Sequence, residues 1–278
     1  MLDVPAAPVT VIRPARRGGL PDLGELWRSR DLALILAWRD VKVRYKQSLI
    51  GIAWAVMQPL LTMVVFTIIF GKFANLPSQG LPYPVFSMLN LVPWAFMAAV
   101  FTLTSGCVLA NRVLVQKVHF PLMILPLTCI LVPLVDFLFS FTVGLGITAW
   151  FDVAIQPTVF LAPIFLLLLA VTAIGLGSVL AVLNVRYRDV PFTVPFIVQL
   201  WLYASGVIYA AAELPDRYAL IVSFNPAVAG ITGFRWAVAG TPAPETQTLV
   251  IGIAVAITLF VGGLVFYRRS EPRFADTI

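Results

Sequence analysis

The sequence predicts an all-α integral membrane protein. It has six transmembrane helices, an amphipathic interfacial helix ahead of them, and an extracytoplasmic re-entrant helical hairpin between spans five and six. Three observations lead there. Of 278 residues, 60% are apolar and only 12% charged, with a mean hydropathy of +0.95, about half the charge of an ordinary soluble domain. Uncharged runs of about 20 residues recur along the chain, each enough helix for a ~30 Å hydrocarbon layer. Lys and Arg sit beside those runs and are dense in alternate loops only. No polar stretch is large enough for a separate core, so residues 49–267 form one membrane domain.

Residues 1–30 contain Pro, Gly and Arg and no apolar core, which excludes a cleavable signal peptide and predicts a flexible cytoplasmic start. Residues 31–48 follow as the interfacial helix. Leu34, Trp38, Val41 and Tyr45 fall on one helical stripe, with Arg39, Lys42 and Lys46 on an adjoining one. Trp and Tyr suit the headgroup level and the cations suit phosphates. The positive-inside rule alone accounts for such a segment as a topology anchor; Arg39, Lys42, Arg44 and Lys46 are also the candidates for a substrate's anionic head.

The stretch RDVKVRYKQSLIGIAWAVMQPLLT, residues 39–62, runs straight into the first span, 49–70. Gln58 and Pro59 interrupt it, and a kink is expected because proline removes one helical hydrogen bond and clashes one turn back. The further spans are 83–110, 121–151, 158–184, 190–212 and 246–267. Residues 218–240 are long enough to cross but carry Pro226 and Arg235. Charge decides the count. With six spans and a cytoplasmic start, segments 1–48, 111–120, 185–189 and 268–278 hold 16 of the 19 Lys and Arg residues. A seventh span would put YRRSEPR outside, so 213–245 is read as a re-entrant or surface hairpin. Both termini are then cytoplasmic.

Composition also excludes several chemistries. The net charge of +6 is spread beside apolar runs rather than gathered in a patch, which points to anionic lipids and away from nucleic acid. Cys107 and Cys129 lie in apolar runs without metal-ligand spacing, and no metal site is expected. Asp136 is the one acid well inside a span and is a functional candidate by cost alone. It lacks the chain of acids and histidines that a proton relay needs, and no G-x-x-x-x-G-K-[ST] loop is present to hold ATP. Energy must come from a separate ATPase. GLGITA at 144–149 matches a dinucleotide fingerprint but lies mid-membrane, where helix packing explains it. His119 is the lone histidine in a short loop, and no enzyme site emerges.

Taken together, LILAWRDVKVRYKQSLIGIAWAVMQPLL, IIFGKF, NRVLVQKVHFPLMILP, NVRYRDV, VIYAAAELPDRY and FNPAVAGITGFRWAVAG occur in this order. They resemble the membrane-spanning permease subunits of ATP-binding cassette exporters for polysaccharides, the O-antigen and teichoic acid exporter family, over residues 25–270. Where that family has Ser-Pro before a valine, this chain has Ser205-Gly206; glycine also permits a bend. The resemblance implies a homodimeric permease in the bacterial cytoplasmic membrane that carries a lipid-linked glycan. Two copies of a cytoplasmic ATPase subunit, which holds the ATP and Mg, drive it; the permease needs no cofactor of its own. The loop 111–120 resembles the family's coupling helix, so Asn111, Gln116, Lys117, His119, Phe120 and Pro121 are implied ATPase contacts. Arg186, Tyr187, Arg188 and Asp189 are implied as a second contact, although the positive-inside rule equally requires those arginines. Residues 218–240 resemble the outer gate helices. For the translocation pathway the candidates are Trp54, Gln58, Phe70, Trp94, Phe96, Asp136, Trp201 and Tyr203, since ring faces suit sugar C–H groups. The alternatives are an exporter of drugs, haem or simple lipids, a membrane-bound glycosyltransferase, for which clustered acids are lacking, and a structural scaffold.

Overall fold

A computed structural model describes residues 23–46, 51–118, 120–210 and 215–274, and within these ranges every regular element is helical. The helices are α1 (Leu23–Arg28), α2 (Arg30–Lys46), α3 (Gly51–Phe66), α4 (Tyr83–Ala110), α5 (Arg112–Lys117), α6 (Ile124–Thr128) and α7 (Leu131–Trp150). They continue with α8 (Ala162–Arg186), α9 (Val190–Ala204), α10 (Ala219–Ser223), α11 (Pro226–Ala239) and α12 (Thr246–Ser270). Short 3₁₀ turns lead into α8 and α10 and follow α12, and α3 continues into wider π turns over Thr67–Phe73.

Five stretches are long and apolar enough to cross a membrane: Ala53–Phe73, Tyr83–Ala110, Ile124–Trp150, Pro157–Arg186 and Thr246–Arg273. The predicted fifth crossing, 190–212, is shorter than expected. Its helix stops at Ala204, about 22 Å of rise over 15 residues. The chain turns at Ser205-Gly206, where Gly206 takes a φ of +66°, a conformation costly for any residue with a Cβ. The bend expected at this position is therefore made by glycine. The third crossing is also divided. Pro133 cannot donate to the carbonyl of Cys129, and the helix breaks at Cys129-Ile130 between α6 and α7.

The core is built around α4, which is buried along most of its length and packs on α7, α8 and α11. α8 lies between α4 and α12. Its approach to α12 is close enough that a Cβ on Gly263 would stand 2.1 Å from the carbonyl oxygen of Gly175, the small-residue contact that brings membrane helices together. Gly144 of the GLGITA stretch lies in the middle of α7, and its Cβ would meet Met88 at an ordinary 3.6 Å, whereas Gly146 faces open space. α11 is buried on nearly every side. Asn225 caps its start by accepting from the Ala227 amide at 3.1 Å, Pro226 opens its first turn, and Gly240 closes it with an N–H bond to the Trp236 carbonyl.

The helix ends gather at two poles. At one, the Leu122 amide donates to Glu271 Oε1 at 2.8 Å, the Tyr267 hydroxyl donates to the Leu122 carbonyl, and Arg39 reaches Asn111. At the other, the Tyr83 hydroxyl donates to the Ile208 carbonyl at 2.8 Å, Asn90 Nδ2 to the Val207 carbonyl at 3.0 Å, and the Gln156 amide to the Val238 carbonyl. The interfacial helix is present as α2, but its buried face differs from the predicted stripe. Leu36, Ala37 and Val41 turn inward, while Leu34 and Trp38 are exposed. Val41 belongs to both faces, and the covering surface of the bundle meets α2 about a quarter turn away from the centre of the stripe read off the sequence. α1 forms within the segment expected to be flexible; residues 1–22, 47–50, 119, 211–214 and 275–278 lie outside the described residues.

Candidate functional site

A cavity of about 450 Å³ opens between α3, α4, α7 and α9, with Arg44 of α2 at its edge. Four of the predicted pathway residues line it: Gln58 from α3, Trp94 and Phe96 from α4, and Asp136 from α7. Its wall is mainly apolar. Phe96 packs edge-on against Phe137 at 5.7 Å, and Trp94 against Trp201 at 6.1 Å, the geometry that the ring quadrupole favours.

The polar groups of the wall have local explanations. Pro59 has no N–H for the Ala55 carbonyl one turn back, and Ser140 Oγ of α7 donates to that oxygen at 2.8 Å. The α-helix continues from Gly51 to Phe66 through Pro59, with its freed acceptor satisfied from a neighbouring helix, as the membrane interior demands. Thr62 and Thr102 donate to the Gln58 and Ala98 carbonyls of their own helices. What remains for a ligand is the Gln58 amide, which is exposed, and the ionic group at the rim.

That group resolves the isolation of Asp136. Arg44 Nη2 stands 2.6 Å from Asp136 Oδ2, and the Tyr45 hydroxyl donates to Asp136 Oδ1. Two consecutive residues of α2 thus grip one carboxylate 91 and 92 positions away. Asp136 is only 17% exposed and Arg44 49%, so the pair sits at the boundary between cavity and surface. Burial first, and then the neighbouring carboxylate, push the Tyr45 phenol up to about 12. The folded protein therefore prefers the neutral phenol. Its contribution to stability is full below pH 10, the unfolded value, and is lost as pH rises from there toward 12. Subtracting the ultraviolet titration of a Tyr45→Phe protein from that of the parent is expected to give a single phenol with a midpoint near 12; a midpoint near 10 would show that the grip on Asp136 is absent in solution.

The other candidates are dispersed. Trp54 and Tyr203 are exposed on outer faces. Phe70 packs on Phe66 at 5.3 Å, in a separate cluster with Tyr83 and Phe86. Trp201 is held by its ring contacts with Trp94 and Phe101 and by donating to Asn225 Oδ1 at 3.0 Å. Among the basic residues, Arg39 is engaged by Asp40 at 2.7 Å and by Asn111 at 2.8 Å. Lys42 lies over the Trp38 ring at 5.8 Å, and Lys42 and Lys46 are both exposed.

At the same pole, α5 presents Gln116 and Lys117 to the surface. Asn111, at the joint with α4, donates to the Cys107 carbonyl and accepts from Arg39. Phe120 is buried in the core and Pro121 partly so; His119 lies outside the described residues. Arg186, Tyr187, Arg188 and Asp189 are exposed in the joint between α8 and α9, with Arg186 stacked on Tyr187 at 5.5 Å. Sequence reasoning did not find the roles of Ser140 and Tyr45, nor the buried network of Asn90, Gln79 and Arg235 at the opposite pole. The signal available for Asn90 and Arg235 was the one amide of α4 and the one charged side chain of α11, in helices whose other polar side chains are mostly hydroxyls.

The chain is similar to permeases over nearly its full length. An O-antigen export system permease protein RfbA of Myxococcus xanthus is 27% identical over 263 residues, covering 91% of this chain and 98% of the relative. One from Klebsiella pneumoniae is 26% identical over 252 residues, covering 89% and 95%. The polysialic acid transport protein KpsM of Escherichia coli is 21% identical over 244 residues, covering 84% and 91%. The ABC-2 type transporter profile matches residues 32–239. That match runs from the α2 grip on Asp136, through the cavity, to the end of the buried α11, and on it the chain belongs to the ABC-2 type transporter family.

Proposed function

We propose that this protein is the permease subunit of an ATP-binding cassette exporter that carries a lipid-linked polysaccharide across the bacterial cytoplasmic membrane. The observation that carries the reading is the Arg44–Asp136 pair at the rim of the α3–α4–α7–α9 cavity, in a chain whose relatives are named as O-antigen and polysialic acid export proteins. In this reading α9 is a sixth, short crossing and α10–α11 a re-entrant hairpin on the outer side. The pole that carries α2, α5 and the end of α12 then faces the cytoplasm, in line with the charge distribution. Two permeases form the working unit, and two ATPase subunits bind at α5 and the α8–α9 joint.

The anionic head of the substrate meets Lys42 and Lys46 first, since both are exposed. A phosphate oxygen then competes with the Asp136 carboxylate for Arg44, whose planar fork suits either. The aromatic wall at Trp94 and Phe96 is the apolar side of that position. ATP hydrolysis in the partner moves α5, and α5 moves α2 through Asn111 and Arg39.

Depletion of the protein in its host is expected to leave finished polyprenyl-linked glycan on the cytoplasmic side. No accumulation together with intact surface glycan would overturn the reading in favour of an exporter of drugs, haem or simple lipids. Lys42→Gln with Lys46→Gln tests the recognition step without disturbing the ties of Arg39 and Arg44. At about 1 kcal/mol per surface cation, apparent affinity for the lipid-linked substrate is expected to fall roughly thirtyfold; unchanged export at limiting substrate would remove these lysines from the site.

A further inference from the structure

Toward the pole opposite α2, the cavity ends at Thr62 on α3 and Leu91 on α4. About one turn beyond each stand Phe66 and Phe86, which with Phe70, Tyr83 and Ala210 form an apolar cluster separate from the main core. Two helices reach this cluster, and they are held very differently. α11 meets it through Arg235, 4.7 Å over the Phe86 ring, and is pinned. A Cβ on Gly233 would stand 2.1 Å from the Phe165 ring, and one on Gly230 would stand 2.6 Å from Leu169. α3 is the least buried of the five long crossings. Over Thr67–Phe73 it leaves the α register for π turns, with the Ala74 amide donating to the Ile69 carbonyl and the Leu76 amide to that of Phe70. Such turns hold more residues than α turns and are rare beyond a single one. They set Gly71 directly on Tyr83, where a Cβ would come within 2.8 Å of the ring. Tyr83 in turn donates to the Ile208 carbonyl at 2.8 Å. In the loop that follows, Asn75 and Gln79 take φ of +48° and +54°, a backbone conformation uncommon for residues with a Cβ.

We propose that the π stretch of α3 is the moving part of the closure at this end of the cavity. Its surplus residue passes into the 74–82 loop, 67–73 becomes α-helix, and the side chains of the stretch turn past Tyr83. Each residue beyond the change rotates by about 100° and shifts by about 1.5 Å. Gly71 then leaves Tyr83, and its neighbours Phe70 and Lys72 are too large for the vacated place. Tyr83 swings off the Ile208 carbonyl, and the turn after α9 comes free of α3. Because α3 and α9 both line the cavity, their release opens this end of it. Two registers of one stretch make a bistable element of the kind through which conformational changes act. The inference rests on the exporter reading for what passes the closure, and on the fold alone for the switch.

Amide hydrogen exchange on the full-length permease in mild detergent tests the switch without any cargo. Residues 67–76 are expected to exchange faster than 53–66 and faster than α11; exchange led by α11 would put the moving part there and overturn the proposal. Gly71→Ala drives Tyr83 from its place and is expected to speed exchange across 205–210 about fivefold, the loss of one neutral hydrogen bond. An unchanged turn would refute the link through Tyr83. Deletion of Ile69 removes the surplus residue and fixes the α register with Gly71 still on Tyr83. Residues 67–73 of that variant are expected to exchange as slowly as the rest of α3. Cells that depend on it are expected to accumulate lipid-linked glycan as on depletion, although the protein reaches the membrane. Export at the parent's level would make the π turns a static irregularity and end the proposal. Should the deletion variant not reach the membrane, the exchange readings of the parent and of Gly71→Ala decide alone. Coupled opening in a host whose depletion leaves no glycan behind would keep the switch and overturn the cargo reading instead.

Discussion

Replacing Asn90 with leucine is expected to destabilise the protein by about 3–5 kcal/mol, the range measured when a buried charge loses its partner. Arg235 is 1% exposed, and no acid pairs with it among the described residues. Its Nη1 donates to Asn90 Oδ1 at 2.8 Å, its Nη2 to Gln79 Oε1 at 2.9 Å, its plane lies 4.7 Å over the Phe86 ring, and its Nε has no partner. Asn90 meanwhile donates to the Val207 carbonyl. Leucine would remove one of two acceptors from a buried cation and leave that carbonyl bare, each costly on its own. The network ties α11, the 74–82 loop and the turn after α9 to α4. Loss of Asn90 should therefore also speed amide exchange across residues 205–209. Adding Arg235→Met removes the charge along with its acceptor and should recover stability relative to Asn90→Leu alone. An Asn90→Leu protein as stable as the parent, or a double variant worse than the sum of the singles, would contradict this account.

The long apolar crossings were legible in the sequence wherever an apolar run met a cation-rich loop, as at α4, α8 and α12. It was least legible where proline or glycine divides a run. The 121–151 stretch reads as one helix by hydropathy, yet Pro133 withdraws a donor and splits it. The 190–212 stretch reads as a crossing, yet Gly206 turns it after Ala204. Hydropathy measures what a segment avoids, not where its backbone hydrogen bonds go. At the site, the same difference appears in charge. Asp136 looked solitary because its partners, Arg44 and Tyr45, lie in a helix that sequence places at the interface, and only the fold brings α2 over the second turn of α7. The aromatic candidates show the converse. Composition cannot distinguish a ring facing a cavity, as Trp94 does, from one facing the outer surface, as Trp54 does, because both environments accept the same residue.

Phe120→Ala is the second substitution expected to act strongly, and its effect separates packing from docking on the proposed ATPase surface. The ring is 9% exposed and belongs to the core, as does Val115. Its loss should lower stability by about 3 kcal/mol, the low end for a buried phenylalanine because the site lies near the surface. The chain just beyond it is held to the end of α12 by the Leu122 amide on Glu271 and by the Tyr267 hydroxyl on the Leu122 carbonyl. Phe120 is thus a peg that fixes how α5 is presented, while Gln116 and Lys117 form the presented face. Gln116→Ala with Lys117→Glu should leave the unfolding temperature unchanged and remove the ATPase from the purified complex. Phe120→Ala should do the reverse at low temperature, lowering the unfolding temperature while the ATPase still copurifies. The opposite result, a Phe120→Ala protein of parental stability without its ATPase, would mean that the ring leaves the core to meet the partner. Any force transmitted from the ATPase would then enter through the ring and not through the polar face of α5.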